Sequence, residues 1–376
     1  MPLTGEDRRS AIRLATLPGM SPGRLRSLLR CERPTAVERR ILEDPNSIRS
    51  MSSSREGGDS LPKIWRTELL AAREPHFADD QQVYLLGDAD YPWQLAQDPS
   101  APALVFALGS LECLAARRVG IIGTRHATAY GRSMARSLGR ALADHGVCIV
   151  SGLARGIDVS AHRGALDAVD PERGRAVAVV ASGLDVVYPP EHRDPWNRIA
   201  VEGALLGESP PGTTPLPYRF PLRNRIIAAL SEVVVVVESK VDGGSMITVR
   251  HALRRGVTVM AVPGATSTPA STGTNLLLRD GASVVLSAED VLCALDLDTR
   301  RRNPFDDLRT PPTGDEAEVL ALFGADPLTL DDVVALDAQA SNLGMGRVAM
   351  SLGRLETRGW IGCTGGWFER LGDLRT

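Results

Sequence analysis

Three side chains in this sequence have the types that hydrolysis needs: Ser151, Asp158 and His162. A triad requires the serine within hydrogen-bond reach of the histidine, and a carboxylate that orients the ring. The spacing argues against one. Asp158 and His162 stand four apart, so on a helix they form a local pair, with the aspartate near the helix start where its charge suits the macrodipole. Ser151 precedes the turn SGLARGID (151–158) and lacks the sharp elbow that exposes a nucleophile. A second set of residues suits anion binding. Gly243-Gly244-Ser245 reads as a turn opening a helix, where unencumbered amides cradle a phosphate and Ser245 and Thr248 add hydroxyl donors. Arg125, Arg223, Arg225 and Lys240 bring positive charge to the same kind of position. Phe220 and Asn224 stand among them in FPLRNRII (220–227). Phe220 offers a flat surface for a base or fills a core beside Pro221, and Arg225 is open to an internal pair with Glu238 or Glu208.

The familiar nucleotide fingerprints are incomplete. Gly120 and Gly123 do not make GxGxxG, and no GxxxxGK[ST] occurs, which disfavours classical dinucleotide and ATP sites. A nucleotide phosphoribohydrolase of the lonely-guy type, with its GGxGTxxE signature, is the sharper alternative. Gly243 and Gly244 match it, but Met246 and Ile247 replace Gly-Thr and Arg250 stands at the glutamate position. The carboxylate such cleavage uses is missing. The expectation is a binding protein, not an enzyme, with no cofactor and no metal.

These residues need a frame that gathers them. Apolar runs of strand length recur at Val119–Ile122, Val147–Val150, Ala176–Ala181, Val233–Val237, Val257–Val262 and Ser283–Leu286. Helical stretches lie between them, near 130–143, 158–168, 194–203, 222–230, 245–255 and 274–280. Unalternating strands separated by helices predict a parallel sheet covered on both faces: an α/β, Rossmann-like, doubly wound domain. Its ligands belong beyond the carboxyl ends of the strands, which is where the glycine-rich and Arg-bearing segments fall. The plan is a helical module over 1–75, the Rossmann-like domain over 76–295, a linker over 296–314, and a winged-helix-like domain over 315–376. In the helical module, leucines at 14, 17, 25, 28 and 29 flank a turn that resembles a helix-hairpin-helix, except that Ser21 replaces the usual glycine; a plain packing module is the other reading. Residues 51–60 (MSSSREGGDS) read as a flexible loop.

Composition narrows the class. The chain has 376 residues, 43% of them hydrophobic, enough for cores of ordinary size. No apolar run reaches 18 residues, so no membrane span is expected. Met1–Ser10 has no apolar segment of a signal peptide, and the five cysteines are scattered without a CxxC pair. A cytoplasmic protein is expected. The net charge of −3 is unevenly spread: residues 117–292 carry +4 and residues 313–376 carry −5. Lys63 and Lys240 are the only lysines, so the central charge is nearly all arginine. Arginine suits bidentate phosphate contacts, although a GC-rich genome gives the same bias.

Seven segments follow in order: GTRHATAYG (123–131), SGLARGIDVSAH (151–162), SGLDVVYP (182–189), FPLRNRIIAALS (220–231), VVVVESKVDGGSMIT (234–248), AVPG (261–264) and GTNLLLRDGA (273–282). The series closely resembles the DNA-processing protein A family over about 175 residues. Thr124 stands where serine is commoner, Asp242-Gly243 where Ser-Gly is usual, and Asn275 where some relatives have histidine. The resemblance implies binding of single-stranded DNA in the cytoplasm and loading of the recombinase RecA onto it during natural transformation. It implies no enzymatic activity. It also implies a homodimer, with contacts mapping onto Asn275, Leu278 and Val284. The DNA would meet Arg125, Phe220, Arg223, Asn224, Arg225, Lys240 and the Gly243–Thr248 turn.

Overall fold

The structure is a computed structural model that describes residues 3–51, 61–71, 81–169, 174–297, 312–324, 327–358, 360–364 and 366–370. Residues 52–60 of the expected loop at 51–60 and most of the expected linker lie outside these residues. The chain divides into two compact units, Met1–Leu297 and Asp298–Thr376.

The first unit is built on strands β1 (Gln82–Leu85), β2 (Leu104–Gly109), β3 (Arg118–Ile122), β4 (Cys148–Ser151), β5 (Ala176–Val180), β6 (Ala204–Gly207), β7 (Val233–Val236), β8 (Thr258–Ala261) and β9 (Ser283–Val284). They form one sheet in the order β1-β2-β6-β5-β4-β3-β7-β8-β9. From β6 to β9 every pairing is parallel, while β1 and β2 join antiparallel at one edge. The strands are valine- and alanine-rich and buried on both sides, because helices cover both faces. The side-chain period of two divides them between two cores. Val233 and Val235 join one core with helices α6 (Ala129–Asp144), α7 (Ile157–Leu166) and α8 (Arg193–Glu202). Val234 and Val236 join the other with the short α5 (Trp93–Ala96), α9 (Arg219–Leu230) and α10 (Ser245–Leu253).

The sheet is the expected doubly wound one, and the predicted strands fall on β3, β4, β5, β7, β8 and β9. The edge strands β1 and β2, together with β6, were not read from the sequence. Val83 and Tyr84 are only partly buried at that edge, and β6 (ALLG) is four residues long with no β-branched or aromatic side chain.

Helices α1 (Gly5–Thr16), α2 (Pro22–Leu29), α3 (Pro34–Glu43) and α4 (Leu61–Ala71) pack into the first core instead of standing apart. Trp65 is fully buried and its Nε1 donates to the Pro18 carbonyl at 2.8 Å, which pins α4 beneath the turn between α1 and α2. Ser21 caps α2 by accepting from the Arg24 amide. This explains the departure from glycine there, since serine is a strong N-cap.

In the second unit, helices Asp315–Ala321, Leu330–Gln339 and Met345–Thr357 enclose a core of Val319, Val333, Val348, Leu352 and Leu355. Strands Leu328–Thr329, Ile361–Thr364 and Trp367–Arg370 form an antiparallel sheet with the last strand in the middle. This helix–strand–helix–helix–strand–strand order is that of a winged helix.

Candidate nucleic-acid interface

β3 and β7 are neighbours, but their chains leave in opposite directions. β3 runs through α6 to β4 on one side, and β7 runs through α10 to β8 on the other. Adjacent strand ends that diverge leave a crevice at their carboxyl edge. A cleft of about 540 Å³ opens there, lined by the segments after β3 and β7 and by the start of α9.

Close backbone packing shapes its floor. Thr124 donates its amide to the Glu238 carbonyl at 2.7 Å, which ties the two strand ends together. Glu238 is buried and accepts from the amide and hydroxyl of Thr128, fixing the start of α6. Gly156 has φ +78°, and a Cβ there would lie 2.3 Å from the Thr124 carbonyl oxygen, so the loop requires glycine. A Cβ on Gly152 would overlap the Arg223 guanidinium at 1.8 Å. That glycine makes room for the arginine.

The structure brings most of the sequence-derived residues to this cleft: Arg125, Phe220, Arg223, Asn224, Lys240, Gly243, Gly244, Ser245 and Thr248 all line it. Their roles differ. Arg125 and Lys240 are exposed, and among the described residues neither has an ion-pair partner. The Arg125 guanidinium stands 4.5 Å from the centre of the half-buried Phe220 ring. The Tyr188 ring lies 5.6 Å from that of Phe220, centre to centre, tilted by 50°. The Met246 and Ile247 amides close on the Gly243 and Gly244 carbonyls, leaving those of Gly244 and Ser245 at the open end of α10. Nothing lies within 4 Å of where a Gly244 Cβ would be, so a ligand can approach the backbone there.

Five of the expected residues are buried or bonded within the fold. Arg223 is only 5% exposed and donates to the Val179 carbonyl, so it is part of the cleft floor and not a mobile surface cation. Arg225 does not line the cleft. Its guanidinium is held by Glu208 at 2.5 and 2.6 Å and by the Ser100 carbonyl. Of the two internal partners considered, Glu208 has it and Glu238 does not. Ser245 is buried with its hydroxyl bonded to that of Ser239 at 2.7 Å, and Thr248 is buried beneath the turn. These two brace the cradle from below. Asn275 accepts from the Gly264 amide and donates to its carbonyl, so its side chain holds the AVPG turn.

The floor of the cleft also carries a buried carboxyl. The Asp158 carboxyl is pushed up to about 6 by burial, opposed by the charge of Arg223 and by the amides of Ala154 and Gly152. Arg223 is brought down to about 10 by burial, with Asp158 working the other way. Burial also brings His162 down to about 3, so its ring is neutral at physiological pH. Asp158 therefore faces amides and Arg223, and does not form the local pair with His162 that the spacing suggested. Ser151 donates its hydroxyl to the Ile121 carbonyl at 2.5 Å. The three side chains do not assemble as a triad.

Sequence reading missed Tyr188, His126 and the prolines Pro215 and Pro217, which also line the cleft. Tyr188 had a signal: it ends the glycine-bearing segment after β5, the same kind of strand end that drew attention to Arg125.

Fold and site together define a Rossmann-like protein with a cleft at its switch point lined by Arg125, Lys240 and the start of α10. Residues 82–296, more than half of the chain, match the family described as DNA recombination-mediator protein A, and the chain belongs to that family. It is 40% identical over 247 residues to the DNA processing protein DprA of Bacillus subtilis, covering 65% of this chain and 80% of that protein. It is 36% identical over 290 residues to protein Smf of Escherichia coli, covering 75% of each. The X-ray structure of DNA processing protein A from Streptococcus pneumoniae aligns with a TM-score of 0.64 at 30% identity, over 78% of this chain and 98% of that one. The Helicobacter pylori protein aligns with a TM-score of 0.51 at 30% identity, over 58% of this chain and 97% of its own, and its structure addresses a single-stranded DNA binding mode. Among the described residues, no helix is long and apolar enough to cross a membrane.

Proposed function

We propose that this chain binds single-stranded DNA in the cleft between the β3 and β7 strand ends and loads a RecA-type recombinase onto it, acting as a homodimer. One observation carries the reading. Exposed cations (Arg125, Lys240), an open helix start (Gly244, Ser245) and an aromatic ring (Phe220) converge on a single cleft. A single strand needs this combination: positive charge and amides for phosphates, and a π-face for a base. Duplex does not fit it. The bases of a duplex are stacked inside, out of reach of the Phe220 ring. Bond cleavage is not favoured, since Arg250 occupies the place of the phosphoribohydrolase carboxylate and is exposed on α10.

The test is fluorescence anisotropy with labelled oligo-dT against duplex across a salt series. Single strands should win, with log affinity falling against log salt by about 0.7 per phosphate neutralised. Equal binding of duplex, or affinity indifferent to salt, would overturn the proposal.

A further inference from the structure

The loop Pro210–Pro217 has two sides. Pro215 and Pro217 wall the cleft just described. Thr213, Tyr218 and Arg219 wall a second cleft of about 330 Å³, whose opposite side is the turn Gly19-Met20-Ser21 between α1 and α2. The loop is held firmly. The Gly183 amide donates to the Thr213 carbonyl at 2.9 Å, and the Gly212 amide donates to both oxygens of Asp185 at 2.9 and 2.8 Å. Two clefts therefore share one fixed wall.

They also share their chemistry. Tyr218 is 57% exposed, and the Arg219 guanidinium stands 5.3 Å from its ring. Two residues further on, Phe220 has Arg125 at 4.5 Å in the first cleft. An aromatic face with a guanidinium beside it is thus repeated across the start of α9. The Arg219 Nη1 donates to the Ser209 hydroxyl at 3.3 Å, while its buried Nε has no hydrogen-bond partner among the described residues. Glu208 is the one carboxylate lining the second cleft, and Arg225 neutralises it through two short bonds. Among the described residues lining this cleft, no other carboxylate is present to repel a phosphate.

We infer that the second cleft receives the next stretch of a single strand bound in the first. Tyr218 stacks a base, Arg219 faces the adjoining phosphate, and the α1–α2 turn closes the other side. The occupant follows from continuity: both clefts flank one loop, and a strand leaving Phe220 meets Tyr218 next. The inference rests on the single-strand reading of the first cleft and gives the helical N-terminal segment a part in it.

The test uses the full chain with dT6, short enough for one cleft, and dT20, with affinities read by competition against labelled dT20. Tyr218→Ala should weaken dT20 about five-fold or more, the value of one stacked base, while dT6 changes by less than about two-fold. Tyr218→Trp should retain dT20 binding. Ser21→Asp keeps a good N-cap but adds a negative charge to the far wall, and should weaken dT20 alone. Lys240→Ala should weaken both lengths. The inference is overturned if Tyr218→Ala and Ser21→Asp bind dT20 like the parent, or lose dT6 in equal proportion. A parent that binds neither oligonucleotide would instead sink the reading of the first cleft.

Discussion

The Arg125 guanidinium lies 4.5 Å from the centre of the Phe220 ring, joining the segment after β3 to the start of α9 across the mouth of the cleft. A planar cation over an aromatic face is a favourable contact. It also holds both groups where a base and its phosphate would be met together.

Truncating that ring should therefore cost binding more than stability. Phe220→Ala should weaken oligo-dT by about 1–3 kcal/mol, and Arg125→Lys should recover only part of the parent affinity because the ammonium lacks the planar fork. Titration by anisotropy checks both. Parent-like affinity for Phe220→Ala would make the ring a packing residue and nothing more.

Arg223 and Lys240 should separate cleanly. Lys240 is exposed, so Lys240→Ala should weaken DNA binding with an unchanged Tm. Arg223 is buried, donates to the Val179 carbonyl and feels the charge of Asp158, so removing it leaves a buried carbonyl and carboxyl uncompensated, at a cost of about 1–3 kcal/mol. Urea unfolding of Arg223→Ala should show that loss, and Gly152→Ala should show a similar one by displacing the guanidinium. A fully stable Arg223→Ala would contradict the floor role.

This contrast marks where the sequence stops being legible. Valine-rich runs identified the parallel strands because burial on both faces leaves no alternation, and glycine-rich strand ends identified the edge that carries the site. The motif FPLRNRII could not say which arginine faces the cleft. On α9, Arg223 and Arg225 lie two residues apart and so point in different directions, one into the floor and one to Glu208. The Ser245 hydroxyl looked like a free donor because its partner, Ser239, comes from the preceding strand end through a tertiary contact. Helices α1–α4 read as a separate module because Trp65 reaching Pro18, and their shared core with the sheet, are long-range facts.

Protonation of Asp158 should be visible in stability. Its folded value of about 6 lies above the ordinary carboxylate value, so between about pH 4 and 6 the folded chain holds a proton that the unfolded chain has released. Its contribution is present at low pH and lost as pH rises. His162, held near 3, contributes oppositely, with stability lost as pH falls from about 6.5. The two offset each other in the parent. Asp158→Asn removes one of them, so its unfolding free energy relative to the parent should rise by up to ~1.4 kcal/mol per pH unit between about pH 4 and 6, then level off. A constant difference across that range would show that the carboxyl titrates normally.

Self-association should depend on the far edge of the sheet. Among the described residues β9 pairs with β8 alone, Val284 and Leu286 are exposed there, and Leu278 on the neighbouring helix Thr272–Arg279 is half-buried. An unpaired apolar edge is a ready surface for a second copy. Leu278→Glu should give monomers by light scattering with the fold retained, and should load recombinase poorly. A parent already monomeric at micromolar concentration would reject the dimer.

The winged-helix unit poses the last question, since this architecture often reads duplex DNA through the helix corresponding to Met345–Thr357. Its arginines are turned to other uses. Arg347 forms two bonds with Asp315, Arg358 donates to Glu316 at 2.6 Å, and Arg354 lies 3.8 Å from the same carboxylate. Exposed pairs of this kind are individually weak and a phosphate could displace them. The net charge of −5 over residues 313–376 could not be displaced, and it opposes approach to a polyanion. Met345, Met350 and Trp367 are exposed on the same unit, which suits contact with a protein. Isolated 298–376 should therefore bind duplex only in the non-specific range, weaker than ~10 μM at physiological salt. Residues 1–297 alone should keep single-strand affinity within about two-fold of the full chain, because every cleft residue lies in that unit. Micromolar duplex binding by 298–376 that Arg347→Ala abolishes would show that the Asp315 pairing yields to phosphate and that the unit is a second DNA-binding surface.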